Sequence, residues 1–118
     1  FAAAQRMDRL VAIVDYNGIQ AVGRSDEIMG HTSLAAKFEA FGWEVLDADG
    51  HDLNSLEETF ARLDYEAPVP KALLLRTQMG KGVSFVEEGG PEERGISRDD
   101  VDRALSELEI RGGGTGDA

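Results

Sequence analysis

The stretch VAIVDYNGIQAVG, Val11 to Gly23, decides the fold prediction. Its first four residues belong to a β-branched and apolar run, Leu10 to Val14, that is typical of a strand covered on both faces, as in parallel sheets. The run then gives way to an acid, an aromatic residue and the pair Asn17-Gly18, which tolerates positive φ and marks a turn. The stretch therefore predicts a buried strand that ends in a polar turn.

Two further apolar runs have the length and composition of strands. They extend from Trp43 to Ala48 and from Ala72 to Leu75, and helical patterns lie between the three runs. Strands and helices in this alternating order build a parallel sheet through right-handed crossovers. The sequence therefore predicts an α/β fold in which a parallel sheet is flanked by helices.

Helices are predicted where apolar residues recur at helical spacing next to capping residues. An Ala-rich segment from Phe1 to about Arg9 fits the last turns of a first helix, and a long loop is expected from Tyr16 to His31. The residues expected to cap the later helices are Thr32 or Ser33, Asp52 or Asn54, and Ser97. The residues expected to end two of them are Gly42, Pro68 and Pro70.

Each later helix is predicted to carry one apolar face. These faces consist of Leu34, Ala35, Phe38 and Phe41 in the second helix, Leu53, Leu56, Phe60 and Leu63 in the third, and Val101, Leu105 and Leu108 in the last. A helix with one apolar face buries it against a sheet or another helix. The pattern therefore supports helices that cover the predicted sheet.

The chain has the size of one ordinary domain. It has 118 residues, of which 42% are hydrophobic, enough to build a core without disulfides. Residues 1–110 are expected to form this domain and the glycine-rich residues 111–118 a flexible tail. Because the sequence contains no cysteine, a disulfide or a Cys-based zinc site cannot form, and we expect a cytoplasmic location.

The charge of the chain excludes some classes of partner. Twelve basic and 23 acidic residues give a formal net charge of -11, which repels nucleic acid and anionic membrane surfaces. The longest apolar runs are far shorter than the roughly 20 residues that a membrane span needs. We therefore expect a soluble protein that binds neither nucleic acid nor membranes.

Three loops follow the predicted strands: DYNGIQAVG, DADGHD and TQMGKG. Ligands of parallel α/β folds bind at the carboxyl ends of the strands, so these loops are the candidate site. The Asn17 side-chain oxygen and the Ile19 carbonyl offer two neutral oxygens, which suit Mg²⁺ or Ca²⁺ when the ion must keep positive charge for a phosphate ligand. From the residues alone, Asn17-Gly18 is either half of such a metal site or only a turn.

Three segments together carry a family resemblance: VAIVDYNGIQAVG, KFEAFGWEVLDADGHD and PKALLLRTQMGKGVSF. In this order they resemble the second half of the diphosphate-binding domain of transketolases, and most of all the split transketolases, whose two domains are separate chains. The resemblance extends from about Phe1 to Phe85. It implies that residues 1–110 are the C-terminal part of a domain with the thiamine diphosphate-binding fold, and that thiamine diphosphate and Mg²⁺ or Ca²⁺ are its cofactors.

The resemblance also implies roles for particular residues. It matches Asn17 and the Ile19 carbonyl to metal ligands, adds Gly18 to the cofactor site and places Ala21 against the cofactor ring. Arg94 stands where the family has a histidine that contacts the cofactor diphosphate, and an arginine binds anions but is no base near neutral pH. The Gly-Asp-Gly that opens the family motif is absent from these residues, and we expect it upstream of Phe1.

The implied activity is the transfer of a two-carbon ketol unit from a ketose phosphate to an aldehyde or other acceptor. In the family, the glutamate that activates the cofactor belongs to a pyrimidine-binding domain, and no segment here resembles that domain. The resemblance therefore implies a partner subunit that carries the pyrimidine-binding domain. No catalytic residue is assigned in this chain.

Several alternatives stay open at the level of the sequence. The chain could be a receiver-type signalling domain that uses Asp15 and Asp47, or a non-catalytic remnant kept for assembly or regulation. His51 is either a base or a hydrogen-bonding residue before a helix, and His31 fits a capping region. Lys81 either approaches a phosphate or faces solvent.

Overall fold

The computed structural model describes residues 1–30, 32–89 and 95–112, without the side chains of residues 110–112. Its contacts divide the chain into two compact units, Phe1–Thr77 and Gln78–Ala118. Within the described ranges, no helix is long and apolar enough to cross a membrane.

The first unit is built on a three-stranded parallel sheet. In chain order its elements are β1 (Val11–Tyr16), β2 (Ile19–Gln20), β3 (Gly23–Arg24), α1 (Ser25–Met29), α2 (Leu34–Ala40), β4 (Glu44–Asp49), α3 (Leu53–Ala61) and β5 (Lys71–Arg76). The sheet order is β1-β5-β4, with Lys71 of β5 opposite Val11 on one side and Glu44 on the other. Both α2 and α3 contact β4. The predicted α/β fold with a parallel sheet is confirmed.

The core of this unit lies on the central strand. Ala72, Leu73 and Leu74 of β5 are at most 2% exposed, and Leu46 and Ala48 of β4 are also buried. By contrast, β1 is an edge strand of the described sheet, and Ile13 is 57% exposed. The prediction that the first strand is covered on both faces is therefore wrong for the described residues. A strand with one sheet neighbour lacks the packing that covers β5.

Two predicted helix starts are confirmed by their capping hydrogen bonds. The Ser33 hydroxyl accepts a hydrogen bond from Ala36 N at 3.2 Å before α2, and the Asp52 carboxylate accepts one from Asn54 N at 3.0 Å before α3. Gly42 has a φ of 78° directly after α2, as a helix-ending glycine requires.

The ends of these two helices differ from the prediction in detail. Phe41 and Leu53 are 77% and 80% exposed, because they stand at a helix end, where the side chain no longer faces the sheet. The helix α3 ends at Ala61, well before Pro68, so the prolines do not stop it. Its last turn closes instead through the hydrogen bond from Arg62 N to Thr59 O at 3.2 Å.

The segment before β1 forms one helical turn rather than a helix. Gln5 N donates to Phe1 O at 3.0 Å, and Met7 N then donates to Ala2 O at 3.1 Å. With Arg6 at a φ of 51°, this is the Schellman pattern that terminates helices. The helix predicted to about Arg9 is therefore wrong beyond its first turn.

The long loop predicted between Tyr16 and His31 is also wrong for its described residues, because it contains regular structure. The short strands β2 and β3 pair as an antiparallel hairpin, with Ile19 opposite Arg24. The helix α1 follows directly. Ser25 N donates to Gly18 O at 2.9 Å, which joins the start of α1 to the turn after β1.

The second unit contains α4 (Ser84–Glu87) and α5 (Arg98–Gly112). Ser97 caps α5 as predicted, since its hydroxyl accepts a hydrogen bond from Asp100 N at 3.2 Å. The Glu107 carboxylate accepts hydrogen bonds from Ser84 N at 2.6 Å and from the Ser84 hydroxyl at 2.8 Å. These bonds, helped by Arg103, lower the pKa of Glu107.

The domain limits predicted from the sequence stay a prediction. Helix α5 includes the first two residues of the tail expected at 111–118. Residues 113–118 lie outside the described part of the chain.

Candidate functional site

A cavity of about 840 Å³ lies in the first unit, at the carboxyl ends of β1 and β5. Its wall also includes residues of the β2–β3 hairpin, of α1 and of the first turn of α2. This volume is in the range of small-molecule and cofactor sites, and its place in the fold is where parallel α/β proteins bind ligands. The cavity is therefore the candidate site of this unit.

The Asn17-Gly18 pair forms a tight turn in the wall of this cavity. Asn17 Oδ1 accepts a hydrogen bond from Ile19 N at 2.9 Å, and Gly18 has a φ of 73°. The turn predicted from the sequence is confirmed, and Asn17, Gly18 and Ile19 all line the cavity. An amide oxygen has two lone pairs, so Asn17 Oδ1 keeps one for a ligand.

Two carboxylates in the cavity wall are already engaged. Asp15 Oδ1 accepts a hydrogen bond from the Thr77 hydroxyl, and Asp26 pairs with Arg24 at 3.1 Å. The hydrogen bond from Arg24 lowers the pKa of Asp26. Among the described residues, no group of three or more His, Cys, Asp or Glu side chains could hold a metal ion.

The oxygens that the wall offers fit one part of a hard-cation site. Asn17 and Ile19 supply neutral oxygens of the type that Mg²⁺ and Ca²⁺ accept, while the ion needs about six ligands in all. A diphosphate would supply several of the missing oxygens. The described residues therefore fit a cation that is shared with a phosphate ligand better than a cation held by protein alone.

Among the residues that the structure describes, three basic side chains line the cavity of this acidic protein. Arg24 pairs with Asp26, and Arg76 pairs with Asp47 at 2.8 Å. Lys37, on α2, has no ion-pair partner within the described ranges. Its ammonium group is therefore the cation of the wall that is available to an anionic ligand.

The loops after β4 and β5 approach each other closely beside the cavity. Gly50 N donates to Arg76 O at 2.7 Å. A Cβ added to Gly50 would lie 2.5 Å from Thr77 Cγ2 and 3.1 Å from Arg76 O, so this contact admits only glycine without movement. Through Asp15 and Thr77, the loop after β1 joins the same contact. One residue from each of the three predicted strand-end loops, Asp15, Gly50 and Thr77, thus lies at this edge of the sheet.

Other residues singled out from the sequence lie elsewhere. Ala21 stands in the turn of the β2–β3 hairpin, is exposed and is not part of the cavity wall. His51 N donates to Asp49 Oδ1 at 2.9 Å in the turn before α3, outside the wall. Lys81 belongs to the second unit, where its ammonium group lies 3.5 Å from Gln78 Oε1. Arg94 and His31 lie outside the described residues.

Sequence reasoning missed Lys37 and Thr77 as residues of the cavity. Thr77 carried a usable signal, because it is the first residue after β5 and opens a loop already selected as a strand-end loop. Lys37 carried none, since a lysine on an amphipathic helix normally faces solvent. Only the placement of α2 in the fold brings it to the site.

Comparison with known proteins adds a family to this geometry. Residues 1–109 match the family model described as "Transketolase, thiamine diphosphate binding domain". An apulose-4-phosphate transketolase subunit of Phocaeicola vulgatus is 34% identical over 107 residues, which cover 90% of this chain and 38% of that protein. The 6-deoxy-6-sulfo-D-fructose transketolase subunit SqwG of Clostridium sp. is 38% identical over 87 residues, 74% of this chain and 32% of that protein.

The fold agrees with the sequence matches. The crystal structure of transketolase from Campylobacter jejuni aligns with a TM-score of 0.75 at 21% identity, over 91% of this chain and 17% of that chain. This chain spans about a third of the length of the two relatives named above. Because the family model covers nearly all of its residues, the protein belongs to the transketolase family and represents a part of the thiamine diphosphate binding domain.

Proposed function

We propose that this chain is part of the diphosphate-binding subunit of a two-component transketolase. The enzyme would move a two-carbon ketol unit from a ketose phosphate to an aldehyde or other acceptor. The observation that carries the proposal is the Asn17-Gly18 turn, whose residues line a cofactor-sized cavity at the carboxyl ends of the strands. The match of residues 1–109 to the transketolase family supports it and removes the reason for the receiver alternative.

In this proposal the chain holds the diphosphate end of the cofactor. When bound, thiamine diphosphate supplies the electron sink that ketol transfer needs. The Asn17 amide oxygen and the Ile19 carbonyl would bind Mg²⁺ or Ca²⁺, and their neutrality leaves the charge of the ion for the diphosphate. Gly18 allows the turn, and Ala21 and Arg94 are further residues that we propose to contact the cofactor.

Electrostatics favour such a bridging cation. A chain with a net charge of -11 repels a diphosphate at long range, so local positive charge has to hold it. Lys37 offers one such charge without a competing ion-pair partner in the described structure. The metal ion would supply the rest.

A partner chain is part of the proposal. Two relatives are named as subunits of transketolases, one for apulose 4-phosphate and one for 6-deoxy-6-sulfo-D-fructose. We propose a heteromer in which the other subunit carries the pyrimidine-binding domain, with a sugar phosphate or related small molecule as substrate. The lack of cysteine supports a cytoplasmic location for this assembly.

Asn17→Ala in the full-length chain, assembled with its partner subunit, tests the metal assignment. The substitution removes one of about six oxygen ligands, and we expect thiamine diphosphate to bind about 10-fold more weakly in the presence of Mg²⁺. Isothermal titration calorimetry measures this affinity. Asn54→Ala is the matched control, because Asn54 is exposed on α3 outside the cavity wall.

Two results would contradict the proposal at different levels. An unchanged affinity in Asn17→Ala would remove Asn17 from the metal site. If the wild-type assembly neither bound thiamine diphosphate nor formed a ketol product, the enzymatic proposal would be wrong. The non-catalytic remnant would then be the better account.

A further inference from the structure

Asp15 and Thr77 connect two strand ends across the candidate site. They are 62 residues apart in the chain, and the Thr77 hydroxyl donates a hydrogen bond to Asp15 Oδ1. Asp15 lies opposite Leu75 in the parallel register, so the bond closes the sheet edge just where β1 and β5 end. Both residues line the cavity. The bond therefore holds the chain two residues before Asn17, where the turn begins.

The orientation of Thr77 is set from its other side. A Cβ atom added to Gly50 would lie 2.5 Å from the Thr77 methyl carbon, so this methyl group packs directly against the backbone of Gly50. Threonine is stiff about its first side-chain torsion, which fixes the hydroxyl once the methyl group is seated. Gly50 N, bonded to Arg76 O at 2.7 Å, holds the β4 loop in place. Thr77 thus joins the β4 loop to the β1 loop.

We infer that Asp15 and Thr77 are positioning residues, whose hydrogen bond sets where the Asn17 turn presents its oxygens to the ligand. This inference rests on the proposed function, because it assigns the turn to cofactor binding. The turn follows β1, which has β5 as its one neighbour in the described sheet, and Ser25 N also holds the turn through Gly18 O at 2.9 Å. The hydrogen bond from Ile19 N to Asn17 Oδ1 shapes the turn, and the bond between Asp15 and Thr77 attaches it to the central strand.

The hydrogen bond from Thr77 also explains why the Asp15 carboxylate lies in the wall of a site that is proposed to bind an anionic cofactor. A hydroxyl donating to an ionised carboxylate forms a strong, directional bond, and the carboxylate then serves as an anchor for the loop. The alternative is that Asp15 binds the metal ion directly. The two roles differ in what Thr77 should do, because a direct metal ligand would not need the Thr77 hydroxyl.

Two substitutions of Thr77 separate its hydroxyl from its methyl group. Thr77→Val keeps the branched shape and removes the donor, whereas Thr77→Ser keeps the donor. In the full-length chain with its partner subunit, we expect Thr77→Val to weaken binding of thiamine diphosphate with Mg²⁺ by about five- to tenfold, and Thr77→Ser to recover most of it. The KM for the cofactor should rise while kcat at saturation changes little.

A double-mutant cycle tests whether the two residues act together. We expect Asp15→Ala and Thr77→Val to be non-additive in cofactor affinity, because either one removes the same bond. Asp64→Ala, in the exposed turn after α3 and outside the cavity wall, is the control and should add to Thr77→Val. A direct metal role for Asp15 would instead give a large loss in Asp15→Ala and none in Thr77→Val, and would overturn the inference.

A measurement without cofactor separates this inference from the proposed function. Hydrogen exchange of the Ile19 amide reports the turn directly, and we expect faster exchange in Thr77→Val but not in Thr77→Ser. Unchanged exchange in Thr77→Val would overturn the inference even if Asn17→Ala weakened cofactor binding. Faster exchange in an assembly whose wild type binds no thiamine diphosphate would support the positioning role and reject the proposed function.

Discussion

Gly50→Ala adds a single methyl group beside the candidate site, and the structure predicts a clear loss of stability from it. The added Cβ would lie 2.5 Å from Thr77 Cγ2, 3.1 Å from Arg76 O and 3.4 Å from Leu75 Cβ. The first distance is far inside van der Waals contact, and the second involves backbone that is held in the sheet. The loop after β4 or the end of β5 must therefore move.

The expected cost follows from this geometry. Gly50 is not among the glycines with positive φ, so alanine adds a steric cost without backbone strain. Overpacking of this kind lowers the free energy of unfolding by about 1 to 3 kcal/mol, and we expect a value near the middle of that range. Urea denaturation of the full-length chain measures it as a shift of the midpoint with an unchanged slope.

A second substitution tests whether Thr77 is the residue with which the added Cβ of Gly50→Ala clashes. Thr77→Ser removes the methyl carbon that the new Cβ would meet, so it should recover part of the stability of Gly50→Ala, although it lowers the stability of the wild type. The contact with Arg76 O stays and limits the recovery. If Gly50→Ala left the midpoint unchanged, or if Thr77→Ser gave no recovery, the close packing of the β4 and β5 loops would be refuted.

Two further predictions concern charged residues. Lys37→Gln should weaken binding of thiamine diphosphate several-fold at low salt and less at high salt, because dissolved ions screen the charge of Lys37 in the cavity wall. Calorimetric titrations measure the affinity, and Arg62→Gln is the control, because Arg62 is exposed at the end of α3. Equal effects of the two substitutions would remove Lys37 from the site. The pKa of Glu107 in the folded protein lies below its ordinary value of 4.5. The stability that this carboxylate contributes is therefore present above pH 4.5 and is lost as the pH falls through the pKa of the folded state. Glu107→Gln should therefore reduce the acid dependence of unfolding of the second unit, measured by urea titrations at several pH values, whereas the exposed Glu109→Gln should not.

The strand-end site could be predicted because it depends on short-range signals. Apolar runs marked the strands β4 and β5 to within a residue or two, and parallel pairing places all carboxyl ends at one edge. Capping residues such as Ser33 and Asp52 act within their own helix and were recognisable in the same way. The location of the candidate site followed from these local patterns.

The order of the strands could not be read from the same signals. The runs that form β1 and β5 are both apolar, yet β5 is the central strand and β1 lies at the edge. The buried Lys71 illustrates the difficulty, since lysine normally marks a surface position. Its ammonium group donates to the nearby Ala67 O at 3.0 Å and to Asp8 O at 2.9 Å, and Asp8 is 63 residues away in the chain, so only the fold brings it to Lys71.

If the proposed metal ion and the cofactor share this site, its composition predicts that the two bind cooperatively. Asn17 and Ile19 offer two neutral oxygens, and Mg²⁺ gives up its water reluctantly for so few ligands, so the described residues alone should hold the ion weakly. The diphosphate brings oxygens and negative charge to the ion, while the ion neutralises charge that an acidic chain would otherwise repel. Each ligand thus supplies what the other lacks, and linkage requires the two affinities to rise by the same factor. A turn with neutral oxygens, fixed in place by Asp15 and Thr77, is suited to this role, because it positions the ion without competing with the diphosphate for its charge.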